Sequence, residues 1–192
     1  MNYVSIFSGI EAATVAFEQL GWTPIAFSEI EPFACQLLQQ RFPDVPNLGD
    51  ITQIDWKEVK DKYGEVDMVV GGSPCQSFSI AGSHKGLAGA SGLMYEYIRC
   101  VRELRPTWFL WENVPGALSS DKGEAFRQFL EAMDERGYGM AWRVLDSQWY
   151  GLAQRRKRLY VVGCAANPAA AAAVLFEPEN VRRTTQPSRE AW

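Results

Sequence analysis

The sequence predicts an α/β protein with a Rossmann-like sheet, helices on both faces and final strands that are partly antiparallel. Apolar runs of strand length alternate with segments of helical period, which is typical of a parallel sheet covered by helices. Small or polar turns follow several of the predicted strands. The link between the last two predicted strands is too short to hold a covering helix, which favours antiparallel pairing there.

The first half of the chain alternates strand and helix. Residues 3–7 are an apolar run of strand length, and residues 11–20 have helical period and end at Gly21. A second strand over 25–27 precedes a helix over 32–41, with Pro32 in the first turn, where no amide partner is lost. The apolar run 66–70 predicts a third, buried strand.

The second half continues the pattern. A helix over 93–104 is stopped by Pro106, and a buried strand follows over 108–111. Asp121 and Glu124 have the spacing of a capping pair and predict a helix that runs to residue 135 and is closed by Gly137. Residues 140–145 and 159–163 are the last two predicted strands.

The length of 192 residues predicts one main domain over residues 1–166. From Asn167 an alanine run leads into a tail rich in Pro, Arg, Thr and Ser without periodicity. This composition predicts a linker or tail over residues 167–192.

Charge and cysteine usage exclude several classes of protein. The net charge of −4 predicts no long-range attraction to polyanions, so a nucleic acid must be met by a local basic patch or by something outside this chain. Four cysteines without a CxxC pair and a single histidine argue against a metal site and a disulfide framework. No apolar run approaches the length of a bilayer span and no leader precedes the first strand, so a cytoplasmic protein without a membrane partner is expected.

The segment GGSPCQSFSIAG over residues 71–82 is the most informative part of the chain. In this segment Cys75 follows Pro74, in the loop that begins where the predicted buried strand 66–70 ends. Open α/β sheets keep their reactive groups at such strand ends, so we expect a reactive thiol. The remaining cysteines, Cys35, Cys100 and Cys164, are expected to be small core residues.

A carboxylate and two arginines are predicted to share a cleft with this thiol. Strand 108–111 delivers Glu112, which faces the same cleft as Cys75 if neighbouring strands carry the two residues. In the cluster QRRKR over 154–158, strand alternation would put Arg156 and Arg158 on one face, where they could hold the carboxylate, the substrate or a phosphate. Taken alone, residues 112–114 can also be a helix-capping loop, and residues 154–158 can also be a solvent-exposed basic face.

The amino-terminal turn indicates an adenosine-bearing cofactor. The first strand runs into a small-residue turn at Gly9, and Glu29 follows twenty residues later at the end of the second strand, where it can accept both hydroxyls of a ribose. Asp50 offers a further acceptor for the amino group of an adenine. The alternatives are a solvated strand end for Glu29 and a turn or cap for Asp50.

Together these motifs resemble those of the C5-cytosine DNA methyltransferases. Six segments occur in the order of that family over residues 4–163: FSGIEAATVAFEQLGW, FSEIEPFA, GDI, GGSPCQSFSIAG, ENVPG and QRRKRLYVVG. Their residues are most similar to those of the phage and prophage members of the family. The resemblance implies DNA methylation of the phage or restriction-modification kind, with S-adenosyl-L-methionine as methyl donor and double-stranded DNA as partner.

The resemblance also implies a mechanism. The thiolate of Cys75 adds to C6 of a flipped cytosine, C5 takes the methyl group, and S-adenosyl-L-homocysteine is left. Glu112 engages N3 and the exocyclic amine, Arg158 supports this site with Arg156 as its companion, and Pro74 and Gln76 flank the thiol. The cofactor-binding positions that the resemblance assigns are Phe7, Ser8, Gly9, Ile10, Glu11, Glu29, Ile30, Asp50, Ile51, Ser73, Pro74 and Met94.

The chain departs from the family pattern at Glu11 and Ala12, where most members carry two glycines. Ser8 and Glu11 have the spacing of a capping box, and the sharper alternative is that Glu11 pairs with the amino group of the cofactor. In the loop over 76–89, His84 and Lys85 are candidates to meet phosphate.

Family members continue into a target-recognition domain and a final segment that completes the cofactor pocket, and neither is recognised here. We therefore expect weakened cofactor binding and little sequence-specific methylation from this chain alone. The competing interpretations are a split-enzyme subunit that works with a separate target-recognition subunit, a degenerate S-adenosylmethionine-binding module, and, least favoured, a nicotinamide oxidoreductase.

Overall fold

The computed structural model describes residues 1–74 and 91–176, which form one six-stranded sheet in the order β2-β1-β3-β4-β6-β5. The first four strands are parallel, and β6 runs antiparallel to both β4 and β5. The predicted mixed fold with antiparallel final strands is confirmed. The strands are β1 Asn2–Ile6, β2 Thr23–Ser28, β3 Met68–Gly71, β4 Trp108–Asn113, β5 Gly139–Asp146 and β6 Lys157–Cys164.

Six α-helices are found in the described part of the chain. They are α1 Ala12–Phe17, α2 Pro32–Arg41, α3 Trp56–Tyr63, α4 Ser91–Leu104, α5 Glu124–Asp134 and α6 Pro168–Leu175. The helix predicted over 32–41 is confirmed with the same bounds. α1 is shorter than predicted because the chain tightens into a 3₁₀ turn at Glu18–Leu20, and α3 was not predicted at all. None of the helices within the described ranges has the length and apolar character needed to cross a bilayer.

The main core lies on the sheet face that α3, α4 and α5 cover. Its centre is a group of aromatic rings in which Trp111 stacks on Phe129 at 4.5 Å between centroids and Phe109 meets Phe129 edge-on at 6.1 Å. The opposite face carries smaller clusters under α1 and α6. Cys100 and Cys164 are buried as predicted, but Cys35 is only half-buried.

The predicted capping pair at the start of α5 is wrong. Asp121 and Lys122 both adopt left-handed backbone conformations, with φ of 47° and 57°, and the N-cap is Gly123, which has no side-chain hydrogen bond to offer. Asp121 therefore stands two residues before the N-cap and does not cap the helix. Glu124 is instead bonded to Arg127 on the same helix.

The alanine run after Asn167 is helical, so the prediction of a linker is wrong for Pro168–Leu175. Asn167 caps α6 by accepting a hydrogen bond from the Ala169 amide at 3.0 Å, and Ala171 is fully buried against the sheet. Alanine has the highest helix propensity and a small side chain, so this helix packs closely without an apolar–polar period. Residues 177–192 lie outside the described residues, and the domain boundary at 166 stays a prediction.

The close packing of α6 on β5 gives a stability test. A Cβ atom at Gly139 would lie 2.1 Å from the Cα atom of Pro168, so Gly139→Ala must push α6 off the sheet. We expect a loss of about 1–3 kcal/mol in the free energy of unfolding, measured by chemical denaturation. Gly116→Ala is the matched control, because its nearest neighbour is 3.9 Å away. Equal stabilities for the two variants would show that α6 does not hold this position.

Candidate active site

A pocket of about 220 Å³ opens where the sheet changes its winding direction. The chain passes from β1 to β2 on one side, while β3 lies on the other side of β1, and such switch points are where open α/β sheets bind ligands. The wall comes from segments that follow β1, β2 and β3 and from the start of α4. The lining residues are Phe7, Ser28, Glu29, Ile30, Gly49, Asp50, Ile51, Gly72, Pro74 and Leu93.

The turn between β1 and α1 is fastened to the end of β2. Phe7, Gly9 and Glu11 all have left-handed φ values, of 54°, 56° and 62°, which fold the turn back on itself. The Gly9 amide donates to Glu29 Oε2 at 2.7 Å, and the Ser8 amide donates to the Ser28 carbonyl at 3.2 Å. The structure therefore brings together the glycine and the acid that the sequence spacing paired.

Glu29 does more than end a strand in solvent. Its Oε1 accepts hydrogen bonds from the amides of Ile30 and Glu31, both at 2.8 Å, so the carboxylate also shapes the turn into α2. Each carboxylate oxygen has two lone pairs, so acceptor capacity remains for a hydroxyl group in the pocket. Ile30 is 68% exposed beside it and offers an apolar surface at the rim.

Asp50 combines both roles considered for it. Its Oδ1 caps a 3₁₀ turn over Ile51–Gln53 by accepting from the amide and hydroxyl of Thr52, both at 2.9 Å. Its Oδ2 makes no hydrogen bond to any described residue, although Asp50 lines the pocket. One oxygen therefore holds the turn, and the other is open to a ligand donor.

Glu11 points into the protein and not into the pocket. It is 1% exposed, and its carboxylate accepts from Ser5 Oγ at 2.7 Å and from the amide and hydroxyl of Thr14, both at 3.0 Å. The expected capping box is wrong, because Glu11 is itself the N-cap of α1 and the Ser8 hydroxyl donates to the Ser5 carbonyl. A contact of Glu11 with the cofactor would need these bonds to break. Burial raises the pKa of the Glu11 carboxyl above its usual 4.5, against the effect of its hydrogen bonds.

The last three residues of β4 hold the segment that leads to Cys75. Trp111 Nε1 donates to Ser73 Oγ at 3.2 Å, and Asn113 Nδ2 donates to the Ser73 carbonyl at 3.2 Å. A Cβ atom at Gly72 would lie 2.7 Å from Glu112 Oε2, so only glycine lets the chain pass this close to the carboxylate. Cys75 and Gln76, with the loop that carries His84 and Lys85, lie outside the described residues.

Glu112 and Arg158 meet as an ion pair. β6 runs antiparallel to β4 with Glu112 opposite Tyr160, and Arg158 Nε donates to Glu112 Oε1 at 2.6 Å. Burial, and then the charge of Glu112, raise the pKa of Tyr160.

The predicted placement of Arg156 on one strand face with Arg158 stays a prediction, although the charges of both arginines act on Tyr160. β6 begins only at Lys157, so strand alternation does not extend to Arg156. Arg156 is exposed, and its backbone is bonded to Ser147.

Two further predicted cofactor positions lie away from the pocket. Met94 is 1% exposed in the main core, and its neighbour Leu93 lines the pocket instead. Ile10 is 58% exposed and does not line the pocket.

The sequence analysis did not identify Trp111, Asn113 and Gly72 as parts of the site. The two consecutive glycines before Ser73 were the available signal that the chain passes close to another segment there. Within residues 1–74 and 91–176, no group of three His, Cys, Asp or Glu side chains is arranged to hold a metal ion.

The buried carboxylate of Glu11 predicts a pH dependence of stability. A raised pKa means that the folded state binds the proton more tightly than the unfolded chain, so stability falls as the pH rises above about 4.5. Each unit of the shift corresponds to about 1.4 kcal/mol. Glu11→Gln should remove this dependence in unfolding measured between acidic and neutral pH. Glu18→Gln, at an exposed position, should keep it, and a wild-type profile in Glu11→Gln would contradict the assignment.

The chain is similar in sequence to known proteins. The family model described as C-5 cytosine-specific DNA methylase matches residues 1–190. A protein of Escherichia phage P1 named DNA N-6-adenine-methyltransferase is 38% identical over 98% of this chain and 32% of its own length. The orphan methyltransferase M.SPRI of Bacillus phage SPR is 37% identical over 85% of this chain and 37% of its own length.

The fold has relatives among solved structures. The chain superposes on a Spodoptera frugiperda DNMT2 structure with a TM-score of 0.73 and 22% identity, over 86% of this chain and 50% of that one. The chain spans only about a third of the length of each of the two phage relatives named above. The predicted family is confirmed: the chain belongs to the C-5 cytosine-specific DNA methylase family.

Proposed function

We propose that this chain is the catalytic lobe of a DNA (cytosine-5-)-methyltransferase that works through a covalent bond between Cys75 and C6 of a flipped cytosine. The observation that carries the proposal is the Arg158–Glu112 ion pair beside the segment Gly72 to Pro74, which leads into Cys75. The ligand pocket opens at the same edge of the sheet. A methyl donor and a cytosine can therefore meet there.

The pocket fits S-adenosyl-L-methionine in its donor and acceptor groups. Glu29 Oε2 would accept from one ribose hydroxyl and Asp50 Oδ2 from the adenine amine, and Phe7 and Ile30 offer apolar contact. The bound cofactor would supply an electrophilic methyl group. Glu11, Ile10 and Met94 are not needed for this arrangement.

The chemistry needs a thiolate because C5 of cytosine is a poor nucleophile. Addition of the Cys75 sulfur to C6 breaks the C5–C6 double bond and moves its electron pair to C5, which then accepts the methyl group. Removal of the C5 proton by a base restores the double bond as the C6–S bond breaks. The products are 5-methylcytosine, S-adenosyl-L-homocysteine and a proton.

Glu112 is placed to stabilise the charge that develops on the ring. Arg158 holds its Oε1, which leaves Oε2 free. A protonated Oε2 would donate to N3 as negative charge develops there, and an ionised Oε2 would accept from the exocyclic amine. Because C6 is shielded in a stacked duplex, the cytosine must leave the helix to reach this carboxylate.

The name of the phage P1 relative raises adenine methylation as a second candidate. Its name describes a protein of which this chain covers only 32%. Transfer to the exocyclic nitrogen of adenine uses the lone pair of that nitrogen, so a thiol that adds to a ring carbon has no part in it. Product analysis for 5-methylcytosine and N6-methyladenine separates the two candidates.

Covalent trapping tests the proposed mechanism. In a random-sequence duplex that carries 5-fluorocytosine in place of cytosine, methyl transfer leaves no C5 proton to remove, so the sulfur stays bonded to C6. We expect a stable adduct by mass spectrometry with wild type and cofactor, none without cofactor, and none with Cys75→Ser. Cys35→Ser is the matched control, because a serine hydroxyl can still donate to the Glu29 carbonyl as the thiol does at 3.2 Å.

Other outcomes identify the alternatives. An adduct that forms only after the carboxyl-terminal part of the phage SPR relative is added would indicate a split enzyme. Cofactor binding by calorimetry with no adduct under either condition would indicate a degenerate binding module. An adduct with Cys75→Ser would contradict the assignment of the thiol.

A further inference from the structure

A second concave surface lies at the same end of the sheet as the candidate active site. It has a volume of about 470 Å³ and is formed where β5 ends and β6 begins. Three exposed cations line it, Arg143, Arg155 and Lys157, and we call these three residues the basic rim. Trp149 and Tyr150 also line this surface and are 51% and 46% exposed.

The cations of the basic rim have no ion-pair partner in the part of the chain that the structure describes. The guanidinium of Arg143 lies over the ring of Phe176, at 5.8 Å from its centroid. The acid that lines the same surface, Asp146, is buried and accepts a hydrogen bond from the Gln148 side chain.

The exposed Arg41 and Arg105 also make no ion pair with a described residue, so what distinguishes the basic rim is that three such cations line one concave surface. Other arginines are paired. Arg99 pairs with Glu96 and Glu103 on α4, and Arg127 pairs with Glu124 and Glu131 on α5. The chain as a whole has a net charge of −4, so the basic rim is a local excess of positive charge on an acidic protein. A local excess of this kind is the electrostatic footprint expected of a polyanion site.

The position of the basic rim relates it to the candidate active site. Lys157 is the first residue of β6, so its backbone adjoins that of Arg158, which holds Glu112. Strand alternation turns the side chains of Lys157 and Arg158 to opposite faces, so Lys157 is related to the candidate active site around the end of the strand and not across one face. The register places Asp146 opposite Lys157 at the open end of the β5–β6 pair. A nucleotide whose base reaches Glu112 has neighbouring phosphates spaced about 3.4 Å apart along the helix axis, so phosphates of the same strand pass close to this surface.

We propose that the basic rim binds phosphates of the DNA strand that flank the extruded cytosine. This inference rests on the proposed function and names the surface by which this chain holds its substrate. The contacts would position the strand without reading its sequence, which is how phosphate contacts act in general. The unpaired charges favour DNA over a protein partner as occupant, and a protein partner is one outcome of the test.

The test compares two charge reversals that change the net charge equally. The rim variant is Arg143→Glu with Lys157→Glu. The control is Lys57→Glu with Lys62→Glu on α3, and neither of these two lysines makes an ion pair with a described residue. Fluorescence anisotropy measures binding to a non-specific duplex between about 50 and 200 mM salt. We expect affinity to fall about tenfold or more in the rim variant only, and the slope of log K against log salt to become shallower by about 2.

Two further readouts separate this inference from the proposed function. Cofactor affinity by calorimetry should be unchanged in both variants, because neither touches the pocket at the switch point. Equal loss of DNA binding in both variants would overturn the inference as a net-charge effect. Unchanged DNA binding in the rim variant would also overturn the inference and would indicate a surface for another protein. The absence of duplex binding by wild type at low salt would overturn it as well. In the two cases in which wild type binds the duplex, the covalent adduct through Cys75 can still form, so the proposed function is tested separately from the basic rim. If wild type binds no duplex, no adduct can form and both proposals fail together.

Discussion

The candidate active site depends on one change of strand direction in the sheet. Because β6 runs antiparallel to β4, the start of β6 lies beside the end of β4, and Arg158 reaches Glu112. A parallel β6 would carry Arg158 to the opposite end of the sheet. The antiparallel strands thus give a parallel α/β sheet a cation at the edge where its ligands bind.

The ion pair serves orientation more than stability. The side chains of Arg158 and Glu112 are 22% and 36% exposed, and pairs of that kind contribute little to the free energy of unfolding. What the pair does is fix one carboxylate oxygen, while the approach of Gly72 limits where the other can lie. Strand alternation turns Trp111 and Asn113 to the opposite face of β4, where they hold Ser73. One strand therefore carries the acid and also positions the chain that leads to the thiol.

Several features could be predicted from sequence because a local rule decides them. Pro32 marks the start of α2, and the spacing of Gly9 and Glu29 follows from the β1-turn-α1-β2 unit, so their meeting needs no knowledge of the rest of the fold. The residues alone made Arg158 one candidate to hold Glu112, with the substrate and a phosphate as alternatives, and the family resemblance then assigned it to support the Glu112 site. The choice among these depends on the direction of β6 and not on local pattern.

The features that were missed depend on backbone conformations and packing that residue types do not reveal. Glu11 turns inward because its φ of 62° directs its side chain to Ser5 and Thr14. Asp121 and Glu124 have the spacing of a capping pair, but the left-handed backbone of Asp121 and Lys122 places the N-cap of α5 at Gly123 instead. The sequence of α6 has no apolar–polar period that would predict a helix. The helix packs on the sheet because its alanine side chains are small.

The most direct test of this account is a double-mutant cycle on Glu112 and Arg158, with the rate of adduct formation on the 5-fluorocytosine duplex as readout. If Arg158 acts by orienting Glu112, then Glu112→Gln and Arg158→Ala should each slow the reaction about 100-fold, and the double variant should be no slower than the slower single variant. Cofactor affinity should be the same in all four proteins. Rate losses that multiply in the double variant, or a wild-type rate for Arg158→Ala, would contradict the claim that this ion pair organises the site.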